Sequence, residues 1–280
     1  MITKEMNICI VGLGLLGGSY AQRLSELGYH VSAHDINQAS LDHGLAKGMI
    51  EEGSTDPKIV AKADLVIFGL YPSTLISWLQ RYQHLLPTNC ICSDVSGIKE
   101  KLISEINTFI RPDIRFVFAH PMAGKEVSGV FNSDPTIFEQ ANFIIIENKD
   151  STAQQTIAQL AKLLGFAHIS YLDAKSHDEM IAFVSQLTHV IAVCLMNTND
   201  NTKLKDYTGD SFRDLTRIAK INEDLWYELF KENKTRLLQQ ISDFEAALAD
   251  FTQALAGDDE AKLKALFRQS TKRRKEFDKK

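Results

Sequence analysis

The chain has 280 residues, 44% of them hydrophobic and 24% charged, with 15 Gly and 6 Pro, which leaves room for about two domains and excludes a disordered, collagen-like or low-complexity architecture. Lys and Arg number 31 against 36 Asp and Glu, a formal charge of −5. The basic surplus expected of a protein whose main partner is nucleic acid is therefore missing.

Short apolar runs alternate with longer amphipathic stretches as far as residue 174. Strands are predicted over 7–11, 30–34, 65–70, 90–94, 115–119, 143–146 and 168–172, with helices over 15–27, 75–82, 99–109 and 153–164. The alternation describes βαβ units and predicts an α/β fold of Rossmann type, a doubly wound and mostly parallel sheet. After Asp173 only helical periodicity remains, which divides the chain into domains 1–174 and 175–280. Ser176 and Glu179 form a capping-box signature ahead of a helix with inward positions Ile181, Val184, Thr188, Ile191 and Leu195. Asp178, Ala182, Ser185 and His189 fall on the neighbouring face of that helix.

A polar stretch over 197–210 precedes a helix over 211–220, and a long helix is predicted from Glu223. Along it Phe230, Leu237, Phe244 and Phe251 recur every seven residues, and Ile241, Leu248 and Leu255 fill a second position of the same repeat. Such a stripe fits packing inside a helical domain or a two-fold dimer interface. Gly257 is expected to end it. A last helix starts near Asp259 and runs into the basic tail of Lys272, Arg273, Arg274 and Lys275, with Lys279 and Lys280 beyond; clustered cations there suit a helix C-terminus.

Cys9, Cys90, Cys92 and Cys194 are scattered, with no second pair or nearby His to complete a metal site, and read as thiols of a reduced, cytoplasmic protein. No apolar run approaches the roughly 18–20 residues that span a bilayer. The N-terminus, with Lys4 and Glu5 before a glycine-broken segment, does not read as a signal peptide.

Chemistry gathers where the predicted strands end. Gly12-Leu13-Gly14-Leu15-Leu16-Gly17 joins the first strand to the first helix. Its glycines permit a tight turn, close approach of a pyrophosphate, and close helix–strand packing. The helix N-terminus then faces the anion. Asp35 ends the second strand 18 residues after Gly17, where a carboxylate binds ribose hydroxyls and repels a 2′-phosphate. Ile36 and Asn37 supply no arginine, so the cofactor expected is NAD rather than NADP. Pro72, Ser96 and His120 follow the third, fourth and fifth predicted strands, at the edge where such sheets bind ligands. A histidine there points to proton transfer beside the cofactor. Arg217 and Trp226 bracket the entry to the long helix; an arginine there reads either as a solvated or salt-bridged surface group or as the holder of a substrate carboxylate.

In combination these segments resemble the prephenate/arogenate dehydrogenase family of tyrosine biosynthesis. His120-Pro-Met-Ala-Gly-Lys-Glu126, Val11-Gly-Leu-Gly-Leu-Leu-Gly-Gly-Ser19, Asp94-Val-Ser-Gly-Ile-Lys99, Ser176-His-Asp178, Ser185-Gln-Leu-Thr-His189 and Phe212-Arg-Asp-Leu-Thr-Arg-Ile-Ala219 are similar to its motifs in order and spacing, with Trp226 at the family distance from Arg217. The similarity runs from residue 6 to about 255. Two positions depart from the family pattern: Gly97 stands where the family has serine, with Ser96 one place earlier, and Gln186 stands where it has histidine.

The resemblance implies a dinucleotide-binding domain followed by an all-helical substrate-binding and dimerisation domain, and a homodimer. It implies NAD-dependent oxidative decarboxylation of prephenate, or of arogenate. His120 is then the catalytic base and Ser96 its helper. Arg217, His189, Glu126 and Trp226 contact substrate, with Glu126 gating the pocket through a salt bridge. Gly12, Leu13, Gly14, Leu15, Leu16, Gly17, Asp35, Pro72 and Ser96 hold the dinucleotide. Two rivals share the domain pattern: a hydroxyacid dehydrogenase or reductase with Lys175 as acid or base, and a non-enzymatic NAD sensor.

Overall fold

The structure, a computed structural model, describes residues 2–277. Strands β1 (Asn7–Val11), β2 (His30–His34), β3 (Glu52–Ser54), β4 (Leu65–Phe68), β5 (Ile91–Asp94) and β6 (Arg115–Val117) form one parallel sheet in the order β3-β2-β1-β4-β5-β6. The central strands β1 and β4 read as near-continuous apolar runs because both faces are covered. Ile8 and Ile10 of β1 enter one core layer with Leu24, Val31 and Leu41. Cys9 and Val11 enter the other with Val66, Phe68, Leu79 and Leu102. Helices α1 (Leu15–Glu26), α2 (Gln38–Ala46), α3 (Pro72–Tyr82) and α4 (Glu100–Ile106) occupy the crossovers. The chain works outward from β1 to β3 and then returns to β4 on the other side of β1, which opens a crevice at the carboxyl ends of β1 and β4. β3 lies outside the sequence expectation; three residues with a central glycine carry no readable period.

The last three strands leave this sheet. β7 (Ala119–Met122) pairs antiparallel with β8 (Asn142–Ile146), which pairs parallel with β9 (His168–Leu172) after α5 (Ser151–Leu164). The expected strand over 115–119 therefore breaks at Phe118, and His120 is not a residue just past a strand end. It sits inside β7, opposite Ile144. The cause lies in two hydrogen bonds. The Ala119 N–H donates to Asp94 Oδ1 at 3.1 Å, and Phe118 O accepts from the Ile146 N–H at 2.9 Å, which turns the chain into the second sheet.

Helices follow: α6 (Ala174–Ile181), a π-helical turn over Ala182–Leu187, α7 (Thr188–Asn197), α8 (Asp210–Thr216), a 3₁₀ turn over Arg217–Ala219, and α9 (Glu223–Glu232). Asp173, rather than Ser176, caps α6: Asp173 Oδ1 accepts from the Ser176 N–H at 3.0 Å and Oδ2 from its hydroxyl at 2.6 Å. The run Ala174–Asn197 is long and apolar enough to cross a bilayer by length and composition, a correction to the expectation that no segment is. Its first turns nevertheless hold buried His177 and Asp178, bonded to the sheet domain as described below.

By its contacts the chain divides into a compact unit ending at Asn233 and a second starting at Lys234. The predicted long helix is accordingly two. Asn233 stops α9 because its amide donates to Asp178 O at 2.8 Å and Gln186 Oε1 at 2.9 Å, and Phe230 is thereby severed from the rest of the seven-residue stripe. In the second unit α10 (Lys234–Ala256) and α11 (Glu260–Arg274) meet through Phe251 and Phe267, with ring centroids 6.2 Å apart. Helix α10 ends immediately before Gly257, as expected; Asp258, at φ 51°, makes the left-handed turn, and Asp259 caps α11. Leu248 and Leu255 of α10 are 56% and 59% exposed. Lys272, Arg273 and Arg274 fill the last turn of α11; Lys279 and Lys280 lie outside the described residues.

Candidate active site

The glycine loop is built by contact distances. Gly12 has φ +94°, and a Cβ there would lie 2.8 Å from Gly69 O; one on Gly17 would lie 2.0 Å from Gly12 O. Only glycine fits at either place. Gly14 differs, since a Cβ on it would meet nothing within 4 Å. It is the N-cap of α1 and provides no side-chain cap, so the first-turn amides at Leu15 and Leu16 face the crevice as an anion site. Asp35 is held in place by the Leu13 N–H, which donates to Oδ2 at 2.7 Å, and the Asn37 N–H, which donates to Oδ1 at 2.8 Å. Each carboxylate oxygen keeps a lone pair for a ribose hydroxyl. Ile36 beside it is 91% exposed and offers no charge to a 2′-phosphate. Pro72 is buried at the first position of α3. The cradle thus fits a dinucleotide without a 2′-phosphate.

Past β5 the loop turns on a buried ion pair. Lys99 Nζ donates to Asp94 Oδ2 at 2.6 Å, and both side chains are wholly buried. Asp94 Oδ2 also accepts from the Ser96 N–H at 3.0 Å. The Ser96 hydroxyl is buried with no hydrogen-bond partner; a buried group of this kind awaits a ligand or water. At the next residue, the Cβ position of Gly97 lies 3.6 Å from His120 Nε2 and 3.5 Å from Leu229 Cδ2. The imidazole of His120 therefore reaches back over the loop, and α9 covers it.

His120 has a neighbour that sequence reasoning missed. Its Nδ1 lies 2.9 Å from His177 Nε2, and His177 Nδ1 lies 2.7 Å from Asp178 Oδ1. Asp178 in turn accepts from the backbone N–H groups of Lys99 at 2.9 Å and Glu100 at 2.8 Å. Burial, followed by the nearby His177 and Lys99, holds His120 well below its usual pKa of 6.5. Burial also lowers His177, against the opposing pull of Asp178. Both rings are neutral near pH 7. The Ser176-His-Asp element was visible in the sequence, but nothing in its spacing says that it meets residues 94–99 and 120.

The four expected substrate residues also come together. Glu126, on the loop after β7, is ion-paired with Arg217 at the end of α8. His189 lies against Trp226 with ring centroids 3.6 Å apart and planes tilted by 31°, and places Nδ1 2.9 Å from Ser185 O. Burial lowers the pKa of His189, with Glu126 pulling it up and Arg217 pulling it down. Helix α9 thereby presents Trp226 to His189 and Leu229 to Gly97, and its start is held against α3. Asn222 Nδ2 donates to the Tyr71 hydroxyl at 3.0 Å, and the Ser73 N–H donates to Glu228 Oε1 at 2.5 Å. Gln186 lies outside this group. It is buried, donates to Leu229 O at 3.0 Å and accepts from Asn233, so it fastens the π turn to α9. Lys175 is exposed, with Nζ 3.9 Å from Glu179 Oε1.

The chain matches two family models, the prephenate dehydrogenase nucleotide-binding domain over residues 20–168 and the prephenate dehydrogenase dimerization domain over residues 173–269. It is 26% identical over 275 residues to the prephenate dehydrogenase of Lactococcus lactis subsp. cremoris, covering 95% of this chain and 75% of that protein. It is 28% identical over 284 residues to the cyclohexadienyl dehydrogenase of Zymomonas mobilis, covering 98% and 96%. Its structure superposes, with a TM-score of 0.89 at 28% identity, on prephenate dehydrogenase from A. aeolicus in complex with hydroxyphenyl propionate and NAD+, covering 99% and 100% of the two chains. With both family models placed in order along one chain, the protein belongs to the prephenate dehydrogenase family.

Proposed function

We propose that this protein is an NAD-dependent dehydrogenase that converts prephenate to 4-hydroxyphenylpyruvate and CO2. The observation that carries the reading is the His120 imidazole, half-buried and neutral, with Nε2 next to Gly97 on the loop that also carries the unpartnered Ser96 hydroxyl. In this reaction hydride leaves the ring carbon that bears the hydroxyl. The carboxylate leaves the opposite carbon as CO2, and its bonding pair enters the ring, which becomes an aromatic phenol. Bound NAD supplies the hydride acceptor.

His120 takes the hydrogen bond of the substrate hydroxyl at Nε2 and draws its proton as hydride departs. The proton ends on the product phenol, so charges balance with no net proton released. A base that lends the proton back in this way needs no net exchange with solvent. Ser96, whose buried hydroxyl has no partner in the protein, orients the substrate hydroxyl or the cofactor. Arg217 binds a carboxylate of the dianionic substrate once Glu126 gives way, and Trp226 with His189 walls the side-chain end. Asp35, Pro72 and the loop from Gly12 to Gly17 hold the dinucleotide.

Arogenate is the second reading, and one observation favours it. If the neutral His189 commits its Nδ1–H to the Ser185 carbonyl, Nε2 is left as an acceptor, which suits an ammonium better than a keto group. Steady-state NADH production with prephenate and arogenate, each with NAD and NADP, tests both. No turnover of either would overturn the proposal. The active form in this reading is a cytoplasmic homodimer. The dimerization-domain match over residues 173–269, the exposed apolar residues of α10 and the free buried thiols Cys9, Cys90 and Cys92 support it, and light scattering tests the stoichiometry.

A further inference from the structure

We infer that His177 and Asp178 are positioning residues that hold His120 in the single tautomer able to accept a proton from the substrate hydroxyl. The inference rests on His120 being the base, as proposed above, and follows from counting hydrogens along the chain of contacts. A carboxylate accepts and does not donate. His177 Nδ1, 2.7 Å from Asp178 Oδ1, therefore carries hydrogen. A neutral His177 then has a bare Nε2. Across 2.9 Å the only complementary partner is a hydrogen on His120 Nδ1. That is the sole hydrogen on a neutral His120, so its Nε2, the atom over Gly97, is the free base. The opposite tautomer would set two lone pairs face to face and forfeit a buried hydrogen bond.

Asp178 is itself fixed on three sides. Its carboxylate takes the N–H groups of Lys99 and Glu100, and its carbonyl takes the amide of Asn233. One side chain thus ties α6 to the β5–α4 loop and, through His177, sets the ring of His120. The arrangement has the logic of an acid–imidazole pair that orients a base, extended by one more imidazole.

The test compares His177→Leu with His177→Gln. Leucine fills the volume without a polar atom. The glutamine carbonyl can take the place of the imidazole Nε2 and accept from His120. His177→Leu should lose at least about 100-fold in kcat with KM for both substrates little changed, and His177→Gln should recover most of that loss. Full activity in the Leu variant, or equal losses in both, would overturn the inference, because a packing role would favour Leu over Gln. Nitrogen NMR of histidine-labelled wild-type protein, with His120→Asn to assign the signal, reads the tautomer without relying on either variant. Protonation of His120 at Nε2 would also overturn it. Undiminished kcat in His120→Asn would instead remove the proposed function itself, so the two failures are distinguishable.

Discussion

Glu126 and Arg217, 91 residues apart in sequence, are ion-paired close to His189, whose ring lies against Trp226. Arg217 is 63% exposed, so the pair contributes only about 0–1 kcal/mol, and a substrate carboxylate can displace Glu126 at small cost. Arg217→Ala should raise KM roughly tenfold, one charge-assisted hydrogen bond's worth, and leave kcat nearly unchanged. Glu126→Gln should lower KM, by no more than about fivefold. An unchanged KM in Arg217→Ala would take that residue out of the site.

His120→Asn should lower kcat by at least about 100-fold, and the pH dependence of the parent enzyme should betray the buried ring. A base must be neutral to act. Because burial sets its pKa well below 6.5, the acid limb of kcat should appear well below pH 6.5, with a flat profile from there to neutrality. The same shift acts on stability. Below pH 6.5 the unfolded chain binds protons at residues 120 and 177 that the folded chain refuses, so stability falls with pH in that window and is fully present above it. Thermal melts of His120→Asn should therefore lose less between pH 6.5 and the acid limb than those of the parent.

Asp94→Asn removes the bonded counter-charge of the buried Lys99 ammonium and leaves it only the more distant Asp178, and should cost about 3–5 kcal/mol in urea unfolding. Asp94→Leu combined with Lys99→Met should recover part of that stability. Activity should stay low in the double variant, since Asp94 also holds the N–H groups of Ser96 and Ala119. A double variant less stable than the single one would contradict this account.

Two glycines of one loop should behave differently. Gly17→Ala drives a Cβ against Gly12 O and should disrupt folding. Gly14→Ala meets nothing within 4 Å and should melt close to the parent, yet weaken NAD at least about tenfold by filling the space a pyrophosphate needs. Unaltered NAD affinity in the Gly14 variant, measured by fluorescence titration, would mean that the phosphates lie elsewhere.

The parallel core was legible because its strands other than β3 stand out as short strand-like runs next to helical stretches, and Gly12, Asp35 and Pro72 fall at predictable strand ends. His120 was found for a partly mistaken reason. It reaches the cofactor edge from inside a second sheet, and that diversion depends on Asp94 capturing the Ala119 amide, a contact between residues 25 apart with no local signal. The break at Asn233 was equally hidden, since the apolar repeat runs through it and only the distant acceptors Asp178 O and Gln186 Oε1 show why the helix stops. Local patterns report which elements form. The pairing of His177 with His120 required the folded backbone to bring them together.

The π turn over Ala182–Leu187 closes its bonds one residue further along than an α-helix does, so it takes up one extra residue while leaving the helix on either side nearly in phase. Gln186 lies in that turn and fastens it to α9 through Leu229 O and Asn233. Deleting Gln186 would restore an ordinary helix of about 3.6 residues per turn. His177 and His189 would keep the faces they hold now, and only the tie to α9 would be lost, so a one-codon deletion would loosen the helix that carries Trp226 without turning either histidine.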